Sequence, residues 1–459
     1  MIGGKGTKMQ KVCLKTYGCT LNQADSDILR ALLREKYELV ELPEGADVII
    51  LNTCTVKGPT ENKILEYVRH LAMEKRKFVI AGCLTANEQK IRKFAPLAPL
   101  LGTSSLERVC DAVEDALAGG AAVYKAPASK EFLPKLLTAP IMRIPINDGC
   151  TSSCAFCQTK LARPFLRSYS PKTIVKWINE SVRSGAREIQ LTSMDSGAYG
   201  LDLRTTLVDL MEAIAKDDSS TAIPTPTAPP VRAAAGPAGA GTPGARPDAD
   251  PPFLVRLGMI NPNHAKRMLP DIIRLLKGPR FYRFLHIPVQ SGSEKVCLEM
   301  DRDHTVQDFV DIVHAVRAEI PDATIATDII AGYPTETEKD FEDTVRLLES
   351  VKPDITNVSR FSPRPLTRAK ELKSLSNSVV KGRSGRLAKL VREIGTGRKK
   401  KYVGTSCRVL VTEKQRDFTG RDINYRQVVV KGFKGALGDF TGVDITGANH
   451  GSLFGKIIR

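Results

Sequence analysis

Three cysteines close together in the chain carry its strongest chemical signal. Cys150, Cys154 and Cys157 stand in Asp-Gly-Cys-Thr-Ser-Ser-Cys-Ala-Phe-Cys, a C-x3-C-x2-C spacing. Three thiolates on one short loop can hold three irons of a [4Fe-4S] cluster and leave the fourth iron without a protein ligand. The usual cluster runs and zinc sites supply four ligands, and no fourth Cys or His lies nearby here. An open iron can bind and reduce a small molecule. A structural zinc site completed by a distant ligand is the competing reading.

The elements around the other cysteines suggest a second site. Val12–Tyr17, Asp47–Leu51 and Phe78–Ala81 are short β-rich runs. They alternate with helical patterns at Ala24–Lys36 and Thr60–Glu74. Such βαβ alternation predicts a doubly wound parallel sheet, in which sites form beyond the carboxyl ends of the strands. Cys19, Cys54 and Cys83 each fall just past one of these runs. They are expected to converge as a second three-cysteine site, again one ligand short. Cys13, Cys110, Cys297 and Cys407 have no comparable placement and read as ordinary thiols.

From Ile141 to about Pro365 the chain again alternates strand and helix. The strand candidates are Met142–Ile146, Glu188–Thr192, Phe253–Gly258, Phe281–Ile287, Thr324–Ile330 and Ile355–Phe361. Six such units predict a partial (β/α)6 TIM-like barrel, with its chemistry at the C-terminal mouth. Lys216–Pro252 interrupts it with nine of the chain's 28 prolines and reads as a disordered surface insertion. Lys381–Tyr402 carries nine basic residues against one acid and reads as a basic helical linker. Cys407–Glu413, Asn424–Lys431, Phe440–Ile445 and Leu453–Ile458 then predict a small all-β module.

The expected division is 9–125 for the sheet domain, 138–380 for the barrel with its insertion at 216–252, 381–402 for the linker and 403–459 for the β module. A formal net charge of +17 over 459 residues points to a polyanionic partner, nucleic acid first. No apolar run approaches the ~20 residues that cross a bilayer, and no signal-peptide pattern opens the chain. Ten cysteines in a chain of this kind suggest metal binding in the reducing cytoplasm rather than disulfides.

The C-x3-C-x2-C loop resembles that of radical S-adenosylmethionine (SAM) enzymes. Together with Thr-Tyr-Gly-Cys-Thr-Leu-Asn-Gln-Ala-Asp-Ser (16–26), Asn-Thr-Cys-Thr-Val-Lys-Gly-Pro-Thr-Glu (52–61) and Ala-Gly-Cys (81–83), it resembles the radical SAM methylthiotransferases. That resemblance implies two [4Fe-4S] clusters. One, on Cys150, Cys154 and Cys157, binds SAM and cleaves it to a 5′-deoxyadenosyl radical. The other, an auxiliary cluster on Cys19, Cys54 and Cys83, carries the sulfur to be inserted. Gln290, Ser291 and Gly292 are similar to the family's SAM cradle, and Asp195 and Asp328 to residues that hydrogen-bond SAM or substrate. The β module resembles a TRAM domain, which implies RNA contacts from Lys399, Lys400, Lys401, Arg421, Tyr425 and Arg426.

Cys-Gln-Thr-Lys-Leu-Ala-Arg (157–163), Thr-Ser-Met-Asp-Ser-Gly-Ala-Tyr-Gly (192–200), Leu-Gly-Met-Ile-Asn-Pro (257–262) and Phe-Leu-His-Ile-Pro-Val-Gln-Ser-Gly-Ser (284–293) are similar to one branch in particular. It is the archaeal and eukaryotic branch acting on N6-threonylcarbamoyladenosine (t6A) of tRNA. The implied partners are the tRNA anticodon stem-loop, an electron donor such as flavodoxin or ferredoxin, and a sulfur donor, with no membrane and a monomeric enzyme. The alternatives are isopentenyl-adenosine tRNA, a ribosomal protein, or a non-catalytic RNA-binding Fe–S protein. Pro164, Thr335 and Leu366 stand where the family usually has glycine, which puts the geometry of their loops in question.

Overall fold

The computed structural model describes residues 9–55, 58–217 and 251–458, Pro59 by its backbone alone. The expected insertion at 216–252 thus falls almost entirely outside the described residues. The chain divides into two compact units. One runs up to Leu137 and also contains Asn147–Tyr169 and Ser362–Glu371; the other contains Thr138–Ile146, Ser170–Phe361 and the chain from Leu372 onward. The Cys150 loop packs within the unit that contains the N-terminal sheet.

In the first unit, β1 (Lys11–Thr16), β2 (Glu38–Val40), β3 (Val48–Thr53), β4 (Phe78–Gly82), β5 (Leu100–Leu101) and β6 (Val123–Tyr124) form a six-stranded sheet ordered β2-β1-β3-β4-β5-β6. Every pairing is parallel. Successive residues alternate between two cores. Val12, Ile50 and Val79 pack on one face, and Cys13, Ile49 and Ile80 on the other. A sheet buried on both faces needs apolar residues throughout, and β3 is buried at all six positions. The expected helices lie at Thr20–Leu33 and Gly58–Met73. The first starts four residues before its expected position, because its opening turn is the polar Thr-Leu-Asn-Gln.

In the second unit, β7 (Ile141–Pro145), β8 (Glu188–Thr192) and β9 (Leu254–Arg256) form one parallel sheet. A second contains β10 (Phe284–His286), β11 (Thr324–Ala331) and β12 (Ile355–Arg360). The parallel bridge Val255↔Phe281 joins them into an open six-stranded wall, the expected partial barrel. β13 (Ser406–Lys414), β14 (Phe418–Asp422), β15 (Gln427–Lys431), β16 (Phe440–Ala448) and β17 (Leu453–Ile457) close a barrel ordered β13-β14-β15-β17-β16. The sequence showed only four of these strands. β14 is Phe-Thr-Gly-Arg-Asp, too polar and glycine-containing to register as one. No described helix is long and apolar enough to cross a membrane.

His304 is buried in the second unit. Burial first, and Arg302 second, push it down to about 4. The unfolded chain takes up a proton near pH 6.5, so His304 costs stability progressively as pH falls from about 6.5 to 4. The full loss is about 3 kcal/mol. Chemical denaturation across that range should show the decline in wild type, and a smaller one in His304→Leu.

Candidate functional site

Cys19, Cys54 and Cys83 leave the carboxyl ends of three adjacent parallel strands. The registers Thr16↔Asn52 and Thr53↔Gly82 bring those ends level. Cys19 caps the helix Thr20–Leu33, Cys54 follows β3 and Cys83 opens a short 3-10 turn after β4. Gly18 has φ +104, and a Cβ there would lie 2.6 Å from Cys54 Sγ. Only glycine lets the Cys19 turn approach so closely.

Polar side chains fix this edge. Asn22 Nδ2 donates to Tyr17 O at 2.6 Å, and Asn52 Nδ2 donates to Ser26 Oγ at 2.8 Å. Leu84 N donates to Thr53 Oγ1 at 3.1 Å. Cys54 and Cys83 are buried while Cys19 is exposed. Burial pushes the Cys83 thiol up to about 12, opposed by Arg163 and reinforced by Cys19 and Cys54. A thiol buried in this way ionises only against added positive charge, which a metal centre supplies. Among the described residues no three His, Cys, Asp or Glu side chains converge tightly enough for a single ion. A multi-iron cluster is larger and sets its thiolates farther apart. Three cysteines at one sheet edge, two buried and one exposed, fit a [4Fe-4S] cluster with one open iron.

The second cysteine loop is held by its surroundings. Gly149 has φ +74, and a Cβ there would lie 2.0 Å from Phe165 O. Cys157 N donates to Cys154 O at 3.1 Å, Ser152 N donates to Cys150 Sγ at 3.4 Å, and Lys160 Nζ donates to Cys150 O. Arg368 Nη2 donates to Ser153 O at 2.6 Å and Ala369 N to Ala155 O at 3.0 Å. The loop thus rests on the 362–371 segment, whose Arg364 donates at 2.8 Å to the buried Glu61 carboxylate. This donor set too fits a cluster with one open iron.

Arg364-Pro365-Leu366-Thr367 is a turn closed by Thr367 N donating to Arg364 O at 3.3 Å. Leu366 sits at its third position with φ +62 and is exposed. Proline followed by a positive φ is the arrangement that selects glycine there, so the departure seen in the sequence is a real strain. Leu366→Gly should stabilise the chain by about 1 kcal/mol, read as a higher denaturation midpoint. Thr335, a second departure, is not among the residues with positive φ.

A buried ionic quartet connects the two cysteine sites. Lys130 Nζ lies 2.8 Å from Asp25 Oδ1 and 3.0 Å from Asp148. Arg163 pairs with the same two carboxylates, and Tyr169 Oη donates to Asp148 Oδ2 at 2.8 Å. Asp25 lies six residues after Cys19, and Asp148 two before Cys150. Burial raises the Asp148 pKa, but Lys130 and Arg163 outweigh it and hold the carboxyl well below the usual range. The sequence reading missed this quartet. Asp25 and Arg163 lie inside its quoted motifs, but a charge on a helix or loop reads as solvent-facing.

At the barrel mouth the expected residues play different parts. Asp195 is fully buried and accepts from Gly197 N, Asn261 N and Asn261 Nδ2 at 3.0, 3.1 and 2.7 Å. It braces two loops from within. Ser291 is likewise fully buried, accepting from Ser293 N, and Gly292 N donates to Thr344 Oγ1 at 2.9 Å. Gln290 has φ +75 and bridges β11 through its backbone. Asp328, partly exposed, accepts from Asn357 Nδ2 at 2.8 Å and lies 3.0 Å from His286 Nε2.

The basic helix and β module differ more from expectation. The helix runs Asn377–Lys400, and much of its charge is spent on the barrel. Arg383 pairs with Glu336 and Glu338, Arg386 with Glu342, and Arg398 with Asp354. Lys399 is buried against Asp354 O and is corrected from surface contact to internal support. Lys401 reaches Asp322, while Lys381, Arg392 and Lys400 stay exposed.

Tyr425 was expected in a strand and facing RNA. It sits instead in a turn at φ +61, its ring 4.8 Å from that of Tyr282 and 4.9 Å from that of Phe284, its hydroxyl 3.3 Å from Glu188 Oε1. Burying an aromatic ring against two others outweighs its use as an exposed stacking platform. Arg426 is clamped to Asp422 and stacks over Tyr402 at 3.6 Å. Arg421, partly exposed, lies over the Tyr425 ring at 5.0 Å.

Residues 11–102 match the model of Uncharacterized protein family UPF0004, residues 144–348 the Radical SAM superfamily and residues 400–458 the TRAM domain. A probable threonylcarbamoyladenosine tRNA methylthiotransferase of Archaeoglobus fulgidus is 38% identical, over 97% of this chain and 98% of its own. The threonylcarbamoyladenosine tRNA methylthiotransferase of Drosophila melanogaster is 34% identical, over 98% and 78%. The tryptophan-bound structure of the radical SAM methyltransferase TsrM from Kitasatospora setae superposes with a TM-score of 0.53 at 12% identity, covering 79% of this chain and 75% of that one. That likeness concerns fold alone.

Proposed function

We propose that this chain, which belongs to the family of threonylcarbamoyladenosine tRNA methylthiotransferases, adds a methylthio group to C2 of t6A beside the anticodon of tRNA. The observation that carries this reading is the pair of three-cysteine sites in one compact unit, each a ligand short of closure. Cys150, Cys154 and Cys157 hold the SAM-binding [4Fe-4S] cluster, and Cys19, Cys54 and Cys83 hold the auxiliary one. When bound, these groups and SAM supply radical chemistry at an inert aromatic C–H bond and the sulfur that replaces its hydrogen. The chain's own part is to hold both cysteine sites on one frame and exclude water. Gln290, Ser291, Gly292, Asp195 and Asp328 remain the candidate contacts to SAM or substrate.

Lys381, Arg392 and Lys400 form the phosphate-facing part of the basic helix, with Lys401 just past its end and Arg421 on β14 of the β module. A Lys381→Glu/Arg392→Glu/Lys400→Glu variant should bind an anticodon stem-loop at least tenfold more weakly in low salt and show a shallower salt dependence. Filter binding across a salt series reads both. An electron donor, a sulfur donor and the cytoplasm complete the expected setting.

Mass spectrometry of tRNA nucleosides from a deletion strain tests the substrate. Loss of 2-methylthio-t6A is expected, restored by the intact gene. Unchanged 2-methylthio-t6A together with an unmethylthiolated ribosomal protein would transfer the activity to that alternative.

A further inference from the structure

The barrel lumen holds two arginines, Arg143 and Arg256, that have no carboxylate partner among the described residues. Residues in register on neighbouring parallel strands point to the same side. Arg143 on β7 and Arg256 on β9 are both in register with Gln190 on β8 between them. Gln190 faces the lumen, where its Nε2 lies 2.6 Å from Glu188 Oε1 and 3.3 Å from Tyr425 Oη. Arg143 and Arg256 therefore enter the lumen from either side of it. The Arg256 guanidinium lies 5.2 Å over Phe284 and 5.8 Å over Tyr425. Both Nε atoms are buried and have no hydrogen-bond partner.

The acids that line the same space are already engaged. Glu188 accepts from Tyr282 Oη at 3.1 Å as well as from Gln190 and Tyr425. Asp328, toward the mouth, is held by His286 and Asn357. Tyr425 packs at the amino-terminal ends of the strands, so a ligand reaches the arginines from the mouth. Buried Nε–H groups without a partner cost free energy in the free protein. That cost is recovered when a carboxylate arrives, because guanidinium–carboxylate pairs are strong and geometrically selective.

We propose that Arg143 and Arg256 form a carboxylate receptor that takes the threonyl carboxylate of the modified adenosine. They would thereby select an acid-bearing base over a neutral one. This rests on the t6A reading above. The methionyl carboxylate of SAM offers the same chemistry from a second source, and the experiment separates the two.

The test uses the anaerobically reconstituted full chain and three synthetic anticodon stem-loops. They differ only in carrying t6A, the methyl ester of t6A or plain adenosine. Wild type should bind the t6A stem-loop roughly tenfold to hundredfold more tightly than either other one. Arg143→Gln and Arg256→Gln should erase most of that preference without weakening binding to the adenosine stem-loop. Arg256→Lys should restore part of it. SAM affinity, measured separately, should be unchanged in all of them.

The ester arm needs no mutation, so a poorly folded variant cannot mask the answer. Wild type indifferent between acid and ester overturns the proposal, even where nucleoside mass spectrometry upholds t6A as substrate. Loss of SAM binding with discrimination intact also overturns it, and assigns the arginines to SAM instead. Absence of 2-methylthio-t6A formation removes the t6A reading itself, and the proposal with it.

Discussion

Cys154→Ala should abolish methylthiolation and lower the iron content of anaerobically reconstituted protein from about eight atoms per chain to about four. A loop with two cysteines cannot hold a cluster that already lacks its fourth protein ligand. Cys154 also stands where Cys157 N closes the turn through Cys154 O, at 3.1 Å. Cys54→Ala should lower iron by the same amount and likewise end methylthiolation, yet leave SAM cleavage to 5′-deoxyadenosine intact. The two variants therefore agree in iron content and differ in SAM cleavage. If Cys54→Ala keeps its full iron content, the two-cluster assignment fails. If Cys154→Ala still forms 5′-deoxyadenosine, the assignment of the radical site fails.

Arg163→Met should be the most destabilising single change outside the apolar cores. Its guanidinium is buried and shared between Asp25 and Asp148, and Lys130 alone cannot balance both. Removing one partner from a buried ionic group costs about 3–5 kcal/mol, because the remaining charge is left without compensation. In a unit of this size that lowers the melting temperature by on the order of 10 °C. Pairing the change with Asp25→Asn, as Arg163→Met/Asp25→Asn, restores neutrality and should recover a good part of the loss. A double variant no more stable than the single one would show that the quartet does not act as a coupled unit. Both residues also sit beside Cys83, through the Arg163 and Asp25 charges that it feels. Cluster assembly should therefore suffer with stability in the single variant and recover with it in the double.

Much of this protein was legible without coordinates. Spacing alone marked Cys150, Cys154 and Cys157. The repeated position after a strand grouped Cys19, Cys54 and Cys83, because a parallel sheet brings the ends of adjacent strands together whatever their distance in sequence. Strand boundaries in the barrel fell within a few residues, since buried strands are near-continuous apolar runs. A strand such as β14 escaped notice because a closed barrel supplies pairing partners on both sides and needs less from the side chains.

Charge is where sequence and structure part. Lys381–Tyr402 shows nine basic residues, and local sequence cannot tell a phosphate-facing cation from one neutralised inside the protein. Arg383, Arg386 and Arg398 meet acids that lie more than forty residues away in the chain. Tyr425 likewise looked like a base-stacking residue until the barrel's Tyr282 and Phe284 were found around it. The opposite holds for Arg143 and Arg256, unremarked in the sequence and left unneutralised by the fold. Residue type and spacing marked the cysteines proposed as cluster ligands, because a thiolate set on a short loop or at a sheet edge carries its chemistry with it. Only the tertiary structure decided which charges are free to bind, because compensation of a charge depends on partners that long-range packing brings within a few ångströms.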